Sequence, residues 1–216
     1  MRVLAFLKRR EGLSRDAFRA HYEAVHVPTA LPVVGRVLRH YVRHHLREEL
    51  HGRAGFDCLT AVEYPDAAAM QALLATLAGD EGLAIRRDEL GFMDKPANRW
   101  VVVEAAPGAR GPAPEGDDPQ ILVCVCAPNG AGGAGFGAAF SGEPLRGLLD
   151  AAGPGRRHRA QLGVAGSAGA PLFDAVVQLG GGEAAGIVGW ARDLEAKGAG
   201  VLVARLSVHP TPLGVR

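Results

Sequence analysis

Five of the eight histidines in this 216-residue chain fall between Ser14 and Leu46, in the stretch SRDAFRAHYEAVHVPTALPVVGRVLRHYVRHHL, together with Tyr22 and Tyr41. Imidazole is the side chain that titrates near neutral pH, so this clustering points to proton transfer. The candidates to move a proton are His21, His26, His45 and Tyr41, with Tyr22 beside them. Arg39 and Arg43 could stabilise an anion formed on a bound molecule. Asp57 and Glu63 share a face of a later strand and could reach the same cavity. Each histidine alone is compatible with a structural role. The set favours a site, because perturbed titratable groups gather where function is.

Two elements must position these groups. The first is a helix starting after Ser14, whose hydroxyl can accept a bond from an early helical N–H, with Asp16 at its positive end. Phe18, Tyr22 and Val25 make its apolar face. Pro28 disfavours helix at Val27, so the pattern predicts His26 in the last turn, where the dipole favours an imidazolium. The second element is a strand over Val37 to Leu46. Alternation puts Leu38, His40, Val42, His44 and Leu46 on one face, expected to meet helices. Val37, Arg39, Tyr41, Arg43 and His45 form the other, a polar row suited to lining a cleft for a polar or partly anionic ligand.

Other chemistries find less support. His21 and His26 are five apart, hence about 140° apart around a helix. His40 and His44 lie about 13 Å apart along one strand face. No histidine pair has metal-ligand spacing, and nothing isolates an axial ligand for haem in an apolar pocket. Gly130, Gly132 and Gly135 satisfy G-x-G-x-x-G, but a poor helix follows and the order of elements is not that of a parallel nucleotide-binding sheet. There is no G-x-S-x-G elbow. Cys58 falls on a core strand, which argues against a nucleophilic thiol, and Cys124 and Cys126 are two apart on a strand, poorly placed for a disulfide. Three cysteines suit a reducing cytoplasm. A net charge of +1 gives no global reason to expect nucleic acid, and no apolar run is long enough for a membrane span or signal peptide.

In chain order the expected elements are a strand at Val3–Leu7, the helix and strand above, a polar turn over Glu48–Gly55, a strand at Phe56–Tyr64, helices at Ala67–Leu77 and near Leu83–Leu90, and a strand at Trp100–Glu104. This is β-α-β-β-α-β, the ferredoxin-like order. Residues 106–119 read as a Pro/Gly linker. The order then repeats: strand 121–127, a weak helix 136–152 interrupted at Gly142 and Pro144, strands 157–165 and 172–179, helix 183–196 and strand 201–208. Val3 and Ile121, like Phe18 and Phe136, stand 118 apart; Phe56-Asp57 and Phe173-Asp174 stand 117 apart. The chain is therefore expected to be α+β, two tandem ferredoxin-like repeats (1–105 and 120–216) whose bare sheet faces pack as an intramolecular pseudo-dimeric barrel with all helices outside. Pairing of each half with another chain is the alternative, and a homodimer of pseudo-dimers is compatible with the first.

LKRREGLSRDAFRAHYEAVHVP, RHYVRHHL, FDCLTAVEY and the closing WVVVEA resemble the EthD-type members of the dimeric α+β barrel superfamily over about residues 3 to 105. The resemblance implies the fold and a family that includes cofactor-free oxygenases, polyketide cyclases, dehydratases, decarboxylases, haem enzymes and proteins without known activity. At the 118 offset Ala139, Pro144 and Gly163 stand where the first half has His21, His26 and His45. The second half thus looks like a degenerate partner, and one pocket is expected, in the first half. The reading is a cofactor-independent enzyme that binds a small cyclic, aromatic or polyketide-like molecule in the barrel. It would act by general acid–base chemistry: cyclisation, dehydration, decarboxylation or oxygenation. The alternative is a ligand-holding or stress protein without turnover.

Overall fold

Alternating apolar residues make β1 (Arg2–Leu7), β3 (Cys58–Glu63) and β4 (Arg99–Ala105) half-buried strands, and β5 (Gln120–Cys126) and β7 (Ala175–Gly180) almost wholly buried ones. With β2 (His40–His51), β6 (His158–Gly166) and β8 (Gly200–Pro210) they close an antiparallel barrel in the order β1-β3-β2-β8-β5-β7-β6-β4. The computed structural model describes residues 1–106, 120–128, 134–154, 156–166, 173–181 and 184–213. Most of the expected linker and of the Gly130–Gly135 loop lies outside them.

Closure settles which half pairs with which. The four strands of residues 2–105 and the four of residues 120–210 meet at two seams, β2 with β8 and β4 with β6. The expected polar turn at Glu48 is instead strand: β2 runs on to His51 because β8 supplies a partner, with register shifts after Leu46 and Glu49. The bore holds an apolar cluster drawn from both halves, including Leu4, Phe6 and Leu59 with Leu122, Val176 and Leu206.

Two further clusters lie beneath helices. Phe18, Tyr22, Tyr41, Cys58 and Phe92 belong to the first. It is covered by α1 (Arg15–His21), a π-helical turn (Tyr22–His26), α2 (Val27–Val34), α3 (Ala67–Ala78) and α4 (Leu83–Phe92). The second contains Ile121, Val123, Leu145, Leu148, Ile187 and Val203 beneath α5 (Ala134–Phe140), α6 (Glu143–Ala152) and α7 (Ala184–Ala196). The weak helix of the second half is split at Ser141-Gly142, as its Gly and Pro suggested.

Helix capping at Ser14 follows the sequence: its Oγ accepts from the Ala17 N–H at 3.1 Å. The end of that helix does not. Val27 stays helical (φ −59°, ψ −50°) and its N–H reaches the Tyr22 carbonyl five residues back. Pro28 has no N–H to offer the turn before it, and a π turn absorbs that loss without ending the helix. His26 is therefore inside a continuous helical run, and the dipole argument for its protonation lapses.

Asp57 is a structural residue here. Its side chain is fully buried at the β1–α1 corner, where Lys8, Arg9 and Arg15 reach it at 3.2–3.3 Å. The Arg9 backbone N–H also donates to it, at 3.1 Å. Asp174 holds the Ala127 N–H at 2.8 Å in the same way, without the basic side chains. Removing one partner of a buried ion pair costs about 3–5 kcal/mol, so Asp57→Ala should lower the melting temperature by roughly 6–20 °C. Asp174→Ala loses one backbone bond, about 1 kcal/mol or a few degrees. Thermal unfolding of both variants checks this, and equal losses would contradict the asymmetry.

Candidate functional site

The polar row of β2 faces the helices, not the bore. Tyr41 packs in the cluster beneath α1 and α2, while Leu46, five residues further on and so on the opposite face, fills the bore. The face assignment from the sequence was inverted: Val42, His44 and Leu46 look inward. Leu38, expected on that face, precedes the strand and packs under the helices. The ligand space expected inside the barrel is thus not where Arg43 and His45 point. They lie between sheet and helix.

Glu23, which the sequence reading passed over, organises this layer. It projects from the π turn onto β2. Arg43 grips it with two bonds, Nε to Oε1 at 3.1 Å and Nη2 to Oε2 at 2.6 Å. His45 Nε2 meets Oε1 at 2.7 Å, and His209 Nδ1 stands 4.0 Å from Oε2. Burial alone would raise the Glu23 carboxyl. The bonds from His45 and Arg43 and their charge outweigh it and hold the group at about 2. Arg43 also donates to the Tyr41 carbonyl at 3.4 Å and to the Thr211 hydroxyl, and its guanidinium sits 4.8 Å from the Tyr41 ring centre. It is a fixed positioning group.

His45 is held on one side only. Its side chain is 2% exposed. With Nε2 on Glu23, its Nδ1 is buried without a hydrogen-bond partner. Ser207 pairs across the β2–β8 seam with His45, hence on the same face, and its Oγ is likewise buried and unpartnered. Burial lowers the His45 pKa, and Glu23 opposes that shift. An imidazole donating Nε2–H to a carboxylate keeps its Nδ1 lone pair, so this geometry presents a neutral base. Ser207, His209 and Thr211 come from β8 and the segment after it, so the second half contributes to a layer expected from the first half alone.

His21 and His26 form a second group through Asp88 on α4. His21 Nε2 lies 2.7 Å from one carboxylate oxygen and His26 Nδ1 lies 2.8 Å from the other. Residues five apart diverge in an α-helix, but a π turn stacks them, which is why the spacing argument missed this convergence. His26 is buried between Tyr22 and Phe92, at 5.0 and 5.2 Å between ring centres. Burial lowers its pKa against the pull of Asp88. The last-turn placement expected for His26, with the dipole favouring its imidazolium, is thereby corrected, and substituting it would disturb packing.

The remaining candidates separate. Tyr22 and Tyr41 are buried phenols in the same layer. Burial raises Tyr22 well above the ordinary range and pushes Tyr41 up to about 12, so both stay protonated and can donate but not act as bases. Tyr22 Oη bonds Thr60 Oγ1 at 3.0 Å. Arg39 is exposed ahead of β2. Glu63 and Asp57 sit at opposite ends of β3, about 20 Å apart by strand rise, and cannot share a cavity. Burial pushes the Cys58 thiol up to about 12, and it is inert.

The matching layer of the second half is apolar. Strand pairing puts Leu162, not Gly163, at the position of His45, since His45 pairs with Cys58 as Leu162 pairs with Ala175. Leu162 packs against the second helix-side cluster. Among the described residues no three His, Cys, Asp or Glu side chains are arranged to hold a metal ion. No helix there is long and apolar enough to cross a membrane.

Comparison with known proteins agrees with this architecture. The chain superposes on an anthrone oxidase-like protein with a TM-score of 0.54 and 11% identity, covering 99% of this chain and 93% of that one. A provisionally assigned monooxygenase from Lactobacillus acidophilus gives 0.51 and 10%, covering 99% and 96%. A mutant chlorite dismutase from Candidatus Nitrospira defluvii gives 0.51 and 12%, covering 98% and 91%. At such identity the likeness is one of fold. No curated protein matches the sequence. Residues 10–96 match the family model described as EthD domain, and they span the π turn, β2, β3 and α4 that hold Glu23, His45 and Asp88. Residues 10–96 are thus similar to an EthD domain, and they lie within a closed eight-stranded antiparallel barrel.

Proposed function

We propose that the protein is a small-molecule enzyme whose general base is His45, oriented by Glu23. The observation that carries this is the one-sided imidazole: Nε2 on a carboxylate gripped by Arg43, Nδ1 buried and unpartnered. A stability role alone would not leave a buried ring nitrogen and a buried serine hydroxyl side by side without bonds, because each such group costs about 1–3 kcal/mol. The substrate is a cyclic, aromatic or polyketide-like molecule with an acidic C–H or phenolic O–H. His45 Nδ1 removes that proton, and the tyrosine hydroxyls or Ser207 can donate to the oxyanion formed. The step needs no cofactor. Cyclisation, dehydration and decarboxylation can follow from such an anion, and so can oxygenation with dioxygen as the co-substrate that accepts the electrons. His209, about a third exposed, forms the solvent side. The names of the anthrone oxidase-like and monooxygenase neighbours agree with this class. We read residues 1–105 and 120–216 as tandem ferredoxin-like repeats, the second retained to close the barrel and to supply β8. The ring order β4-β1-β3-β2 beside β8-β5-β7-β6 supports that reading, as do the matching Asp57 and Asp174 corners.

Anthrone, with its activated C–H, is a suitable first probe. His45→Gln should lower its turnover by about 10²–10⁴-fold, the usual contribution of a positioned base. Binding of anthrone with no turnover would favour the ligand-holding alternative, and full activity in His45→Gln would remove His45 as the base.

The pH dependence has a definite sign. His45 must be neutral to act, and its pKa is depressed, so kcat/KM should rise with pH through an apparent pKa below about 6.5. In Glu23→Gln the carboxylate that raises this pKa is gone, and the limb should move lower still. NMR titration of His45 tests both statements without a substrate; a pKa above about 6.5 in the wild type would refute them.

Glu23 also links to stability. Its folded pKa of about 2 lies below the unfolded value, so its contribution is complete above about pH 4.5 and is lost as pH falls through 2. Wild type and Glu23→Gln should therefore differ in melting temperature at pH 7 and converge towards pH 2.

A further inference from the structure

Inward-facing residues divide the bore lengthwise. One end is apolar, with Phe6, Phe56 and Phe173 in edge contact at 5.1–6.2 Å. The other end carries Arg2, Glu63, His44, Gln120, Gln161 and Gln178 at the N-terminal ends of β1, β2, β5 and β6 and the C-terminal ends of β3 and β7. Gln178 Nε2 donates to His44 Nε2 across this region at 3.1 Å. At the mouth is a cleft of about 310 Å³ lined by Arg2, Glu63, Val103, Arg159 and Gln161.

The geometry points to this mouth as a second binding site, for a small carboxylate bearing a hydroxyl or ammonium group next to the carboxylate. Gln161 is 3% exposed, lines the cleft, and its Oε1 has no hydrogen-bond partner. A buried carbonyl without a donor is costly to the empty protein, and a donor on a ligand would satisfy it. Arg2 and Arg159 each already have an interaction within the protein; a guanidinium carries several N–H donors, and beside that interaction it can still take a carboxylate that it matches in shape and charge. Glu63 lies directly across from Arg2 on the neighbouring strand, which offsets its charge and leaves it able to accept from the same hydroxyl or ammonium. Val103 and Ala160 give a short apolar wall. The volume equals that of roughly ten waters, which limits the ligand to a small molecule. The site is on the opposite side of the sheet from His45, so it stands or falls separately from the proposed reaction.

Isothermal titration of the whole chain with L-lactate, L-alanine and propionate tests it. Lactate or alanine should bind about tenfold or more tighter than propionate, which has no donor for Gln161. Comparing lactate with alanine distinguishes a hydroxy acid from an amino acid. Gln161→Leu should lose that discrimination, and its melting temperature without ligand should not fall, because the substitution removes an unsatisfied group. Arg159→Gln should weaken binding of the preferred ligand by about tenfold. Absence of binding by all three probes at millimolar concentration would overturn the site. So would propionate binding as tightly as the others, or unchanged binding in Gln161→Leu.

Discussion

Everything in the first helix-side layer depends on the carboxylate of Glu23. It ties a helical turn to β2 through Arg43 and His45, and it faces β8 through His209. Burial alone would push this carboxyl's pKa up and disfavour its ionised form. The paired guanidinium makes it ionised, and the ionised form is what fixes the imidazole. Arg43 in turn is held by a carbonyl, a threonine hydroxyl and a tyrosine face, so the chain of support runs from backbone to the His45 imidazole. Because one end of it is Thr211, that imidazole is positioned only once the barrel has closed.

The π turn is the second dependence. Five residues, Tyr22–His26, carry Tyr22, Glu23 and His26, each aimed at a different partner. Tyr22 goes to Thr60 on β3, Glu23 to β2, and His26 to Asp88 on α4. In a regular helix His21 and His26 would diverge, and Asp88 could not bridge them. Pro28 makes the irregularity tolerable, since a regular turn would lose its bond there in any case. The turn therefore converts a backbone defect into convergence of three side chains.

Much of this architecture could be read from the sequence. The cap at Ser14 and the apolar strands β1, β3 and β5 are local signals, and each formed as expected. What could not be read depends on partners distant in the chain. Period-two alternation says that Arg43 and His44 face opposite ways, but not which way is out; that is decided by whether helices or the opposite strands bury each set. Asp57 looked like a ligand-binding acid because its basic partners, Lys8 to Arg15, are more than forty residues away. Glu23 and Asp88 had no mark of their own. A Glu two positions after a His on a helix, and an Asp beside Arg86-Arg87, are ordinary surface patterns. The one available clue was Pro28 four residues after Ala24, which makes a π turn worth testing before histidine pairs are ruled out by angle.

The strand β2 then explains how the two halves can carry different outer layers on one barrel. Its inward residues must complement the bore, and they pair with strands of both halves; its outward residues answer only to the local helices and to β8. In β6, which stands in the matching place, the outward positions of Arg43 and His45 are Ala160 and Leu162 beneath an apolar helix layer, while the inward position of His44 is Gln161, still polar. Apolar exchange on the outer face removes a buried ion pair whole, which is often neutral or stabilising. The same exchange at one member alone would strand a charge and be strongly unfavourable. The polar layer is consequently an all-or-none feature of each half, and a barrel that keeps it on one side and lacks it on the other loses nothing in closure.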